Sequence, residues 1–234
     1  MIICISQISF AAIARVGSQD TGLDTGLSGT TATIPYTCGS GSNRLLVVGF
    51  FGSAGIDTVT SVTYDGAAMT RIATDQGIGD RRIWMYYILN PTGGSSKNIV
   101  ITFSLGPDHT LLFAADYTGV LQSAQPDASN SHNSTGAATL NVDPTVVNSN
   151  CWIVSTARDF IGSGTTWSGL TALRTSGGLN LADTNTTVPT GTYTGSVSNS
   201  SSGLSAIISA SFQPDTGGGV TTPVCPSPFC GIIQ

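Results

Sequence analysis

Short runs of β-branched, aromatic and aliphatic residues recur along the chain, separated by clusters of Gly, Asn, Asp, Ser and Pro. This rhythm predicts strands and turns. The predicted strands cover residues 11–16, 31–36, 45–51, 59–64, 69–73, 83–89, 98–103, 111–117, 138–142, 151–157, 170–174, 191–197 and 204–212. Arg44-Leu-Leu-Val-Val-Gly-Phe-Phe51 is apolar almost without a break, as expected of a central strand covered on both faces. In Val59-Thr-Ser-Val-Thr-Tyr64 followed by Asp65-Gly66, the Asp-Gly pair supplies the two positive φ angles of a type I′ hairpin turn. Capped helical periodicity is absent, and the tandem Thr-Gly-Leu repeat within 21–28 is too short and Gly-rich for a solenoid unit. Residues 123–136 read as a polar loop and 213–223 as a connector. The expected fold is therefore all-β: a two-sheet antiparallel β-sandwich, jelly-roll-like, with extended N- and C-terminal arms. The expected divisions are an apolar arm over 1–14, a sandwich over 15–212 and a Gly/Pro-rich tail over 213–234.

Composition points the same way. Charged residues make up 9% of the chain, where about 25% is ordinary. There is no Glu and a single lysine, Lys97, so two good helix formers are nearly missing. A net charge of −5 with so few cations argues against nucleic-acid binding. The apolar run at the N-terminus is broken by Ser6, Gln7 and Ser9, which argues against a membrane span. Two readings of that segment stand side by side. One is a short signal peptide ending at Ala12-Ile13-Ala14, without a basic leader. The other is an assembly strand that lays Ile3, Ile5, Ile8 and Phe10 into a groove.

Candidate chemistry is sparse. Of the five cysteines, Cys225 and Cys230 are close together, and with Cys4 they are the disulfide candidates; one cysteine of the odd set is left for burial or for bonding a neighbouring chain. A single such knuckle with two distant histidines argues against structural zinc. The Gly-x-Ser-x-Gly elbow of a hydrolase is missing. His109 and His132 lie among turn residues, and the Asp108-His109 neighbours are poorly placed to act as a dyad. The aspartates read as turn and cap residues, and no pair stands out as a glycosidase couple. No cofactor is expected, although Asp20 with Asp24, or Asp57, has the chemistry for an irregular calcium site. Trp84 and Trp152 fall in apolar strands, whereas Trp167 reads as loop-borne and exposed, the best candidate for stacking on a glycan. Sequons occur at Asn133, Asn185 and Asn199.

Five segments, Asn43–Gly49, Val59–Thr70, Ile83–Pro91, Asn98–Phe103 and Asp116-Tyr-Thr-Gly-Val120, carry a resemblance. Together they resemble a poorly characterised group of β-sandwich modules in bacterial secreted proteins and in phage or virus structural proteins. The resemblance spans about 11–212 and implies the sandwich fold, no catalytic residues, and a place on a virion surface or outside the cell. The expected function is a non-catalytic structural or assembly role, as a virion decoration or capsid-associated protein or an extracellular filament subunit, with copies of itself or other structural proteins as partners. The alternative is a module that binds carbohydrate or a host surface. A hydrolase ranks third for want of any motif.

Overall fold

The computed structural model describes residues 6–7, 12–16, 29–53, 58–73, 76–78, 81–107, 109–159, 165–200, 203–217 and 222–223. Its strands form antiparallel sheets stacked face to face. An outer sheet joins Thr31–Tyr36, Lys97–Phe103, Val59–Tyr64 and Ala67–Ala68. It covers a central sheet in the order Ala14–Arg15, Thr110–Thr118, Leu45–Ser53, Arg81–Leu89, Thr70–Arg71. A second central sheet runs Ala128–Ala137, Leu204–Phe212, Trp152–Asp159, Leu179–Asp183, Thr171–Ser176. Its far face is covered by Thr139–Val142, Gly195–Asn199 and Thr165–Ser168, with the short pair Thr145–Val146 and Gly191–Thr192 beside them. The all-β sandwich expected from the pattern is present, and an outer sheet on each side extends it to four layers.

Residue alternation explains the stacking. Thr31–Tyr36 alternates exposed and buried positions, as a strand with one wet face must. In Leu45–Ser53, Leu46, Val48 and Phe50 face the outer sheet while Leu45, Val47 and Phe51 face the second central sheet. The uninterrupted apolar run is thus the signature of an inner layer. Trp84 fills the first interface, stacked on Phe50 at 5.3 Å between ring centroids. The middle interface is crossed by edge-to-face pairs, Tyr117 with Trp152 at 6.0 Å and Tyr87 with Phe212 at 5.9 Å. Asp65 and Gly66 adopt φ of 50° and 78°, the double left-handed turn their sequence requires.

Two segments of the second central sheet depart from expectation. Residues 128–136, expected within a polar loop, belong to the ten-residue strand Ala128–Ala137 at the edge of the second central sheet, paired with Leu204–Phe212. Backbone hydrogen bonds hold such an edge, so its side chains need no apolar alternation. Leu179–Asp183 was not among the expected strands, yet it forms one, and every one of its residues is buried.

Enclosure in the fold keeps several buried groups neutral beyond the pH at which they ordinarily ionise. Burial pushes the Cys38 and Cys151 thiols up to about 12. Burial first, and then the Asp116 carboxylate, raises the Tyr36 hydroxyl; burial and then Asp183 raise that of Tyr117. Such groups ionise more readily in the unfolded chain, so their contribution is complete below the ordinary thiol value of 9.0 and is lost as pH rises above it. Urea midpoints are therefore expected to be lower at about pH 10.5 than at about pH 7. Equal midpoints would contradict this enclosure.

Candidate functional site

Both ends of the described chain converge on Gly119. From the N-terminal side, Ala14 and Arg15 add a short edge strand to the first central sheet, opposite Thr118 and Tyr117, and Val16 N–H donates to the Asp116 carbonyl at 3.0 Å. From the C-terminal side, Asp215 N–H donates to the Gly119 carbonyl at 2.8 Å, and Leu121 N–H to that of Gln213 at 2.9 Å. Farther out, Ser6 pairs with Pro223 and Gln7 with Thr222 in an antiparallel ribbon.

The N-terminal strand is seated by three devices. Ile13 is buried in the core between the two central sheets. Arg15 reaches across that core to the other sheet. Its Nε donates to Asp183 Oδ2 at 3.0 Å and its Nη2 to Asp183 Oδ1 at 2.9 Å, a bidentate pair that also fixes orientation. Tyr117 Oη donates to Asp183 Oδ2 at 3.0 Å, and Arg15 Nη2 to Asn185 Oδ1 at 3.0 Å. The Asp183 side chain is 0% exposed and that of Arg15 23%. Thirdly, the seat lacks side chains where the arm passes. A Cβ on Gly119, at φ of 73°, would lie 2.4 Å from the Ala12 carbonyl oxygen, and one on Gly39 would lie 2.0 Å from Val16 Cγ1. The strand Ala14–Arg15 straddles the division expected after residue 14, so the arm is continuous with the sandwich.

The other sequence candidates fall elsewhere. Ile3, Ile5, Ile8, Phe10, Cys4, Cys225 and Cys230 lie outside the described residues, as do Asp20, Asp24, Asp57 and Asp108. Trp167 sits on the Thr165–Ser168 strand, not on a loop. Its indole packs against the outer core with Nε1 enclosed, so the exposed stacking platform expected there is replaced by a half-buried packing residue. His132 pairs with Asp143 Oδ1 at 2.6 Å, and Asn130 Nδ2 donates to the same oxygen at 2.6 Å. This contact ties the edge strand to the segment after Thr139–Val142; the loop expectation for 123–136 hid it. His109 is exposed. Of the sequons, Asn199 is enclosed and donates to Asp159 Oδ2 at 2.5 Å, which leaves no room for a glycan. Asn133 and Asn185 are exposed.

No single residue of the arm seat announces itself in the sequence. Asp183 is one aspartate among thirteen and lies 168 positions from Arg15. The one legible sign is Asp116-Tyr-Thr-Gly-Val120, whose tyrosine, threonine and glycine each contact the arm. No helix among the described residues is long and apolar enough to cross a membrane. Comparison with family models, curated proteins and solved structures finds no match to this chain.

Proposed function

We propose that the protein is a non-catalytic structural module that assembles through its terminal arms, on a virion surface or outside the cell. The observation that carries this reading is the seating of residues 12–16 as an added strand, with Ile13 buried and Arg15 locked onto Asp183. Strand addition at a sheet edge is a general means of joining polypeptides, because the backbone ladder contributes affinity and a few side chains contribute selectivity. That residues 12–16 and 213–215 both meet Gly119 supports a reading in which a neighbour engages the two arms together. The outer faces fit a packed surface as well. Thr31, Thr33, Thr139, Asn141, Thr166 and Ser168 are exposed and uncharged, so close approach of copies meets little charge repulsion.

The test is a chain that lacks residues 1–16 and carries Asp183→Asn, so that no carboxylate is left buried without its cation. Its sandwich is expected to unfold cooperatively while the assembled fraction disappears in sedimentation velocity. Unchanged assembly would sink the proposal.

A further inference from the structure

We infer that in the assembled protein the seat beside Gly119 is filled by residues 12–16 of a second copy of this chain, each copy giving its arm and receiving one. The inference rests on the assembly reading above and names its partner and its contacts.

Among the described residues, the contacts of the arm are made with a body that begins at residue 29. The ladder partners are Tyr117 and Thr118, the ion-pair partner is Asp183, and the remaining acceptors are Asn185 and the Asp116 carbonyl. None depends on which chain the arm belongs to, so the same atoms meet when the arm comes from a neighbour. Residues 17–28, Gly-Ser-Gln-Asp-Thr-Gly-Leu-Asp-Thr-Gly-Leu-Ser, connect the arm to the body, and a chain of that length reaches about 40 Å when extended. The seat also has to be filled. Asp183 is 0% exposed with the arm seated, and withdrawing the arm removes both charged hydrogen bonds from it and leaves Tyr117 as its donor, which costs the seat its charge compensation. That requirement selects an arm bearing arginine two residues after a buried aliphatic side chain, which a second copy supplies.

Because exchange conserves all the contacts, its balance is set by concentration. A tether as short as residues 17–28 presents its own arm at an effective concentration on the order of millimolar. Neighbours packed on a particle or filament reach that range, whereas a dilute protein does not. The dilute chain therefore keeps its own arm and the assembly trades it.

The test places cysteines at a ladder pair, Ala14→Cys with Thr118→Cys, and joins them with a short bis-maleimide before peptide mapping. In the assembled fraction the 14–118 link is expected between chains, giving a covalent dimer or ladder on a denaturing gel. In the dilute monomer it is expected within one chain. A link within single chains throughout the assembled fraction overturns the exchange and leaves the assembly reading standing. Failure of the protein to assemble at any concentration overturns both. A second measurement does not depend on the cysteine pair. Full-length Arg15→Asp and Asp183→Arg chains each mispair at home, but refolded together they match across chains in both seats. A one-to-one heterodimer is expected, and its absence while the wild type assembles also overturns the exchange.

Discussion

Replacing Arg15 by methionine is expected to lower folding stability by about 3 kcal/mol, a large effect for a residue in a strand of two ladder pairs. The size follows from what remains. Asp183 keeps Tyr117 as a donor but loses both charged hydrogen bonds, inside a core where it has no access to water. Methionine retains the apolar stem of arginine, so lost packing contributes little to the change. The double variant Arg15→Met/Asp183→Asn is expected to recover more than half of the loss, because a neutral amide tolerates burial far better than a carboxylate. Urea unfolding of the two singles and the double closes the cycle. Equal losses for Arg15→Met and the double would mean that the ion pair is not what seats the arm.

Gly49→Val is expected to be about as damaging, near 3 kcal/mol. Gly49 lies in the first central sheet, and a Cβ there would meet Thr156 of the second at 2.7 Å from Oγ1 and 2.9 Å from Cβ. Thr156 cannot swing aside. It is β-branched and fully buried, and its hydroxyl donates to the Asn180 carbonyl at 3.1 Å. Valine adds three carbons where the sheets touch backbone to side chain, so they must part or shear. Thr156→Ala in the same chain opens the space, and the double variant is expected to regain at least about 1 kcal/mol relative to Gly49→Val alone. Strict additivity would contradict the face-to-face contact of the two central sheets.

How much of this was legible in the sequence depended on the range of the interactions. The inner layer at 45–51 and the Asp65-Gly66 turn could be read directly, since burial on both faces and a double positive φ are local demands with local residue signatures. The Ala128–Ala137 edge was hidden because its pairing is carried by backbone and its side chains resemble those of a loop. Trp167 misled for a related reason: Gly and Ser on either side suggested a turn, while the indole packs inward from a short strand. The arm seat was the least visible. Arg15, Asp183 and Gly119 are each ordinary in their local settings, and only the stacking of two sheets makes them neighbours.

The central claim, that the module assembles through its arms, is tested most directly by the mass of the full chain in solution. Sedimentation velocity across a rising concentration series is expected to show species of more than one chain, growing at the expense of the monomer. A single 23.9 kDa species at every concentration would contradict it.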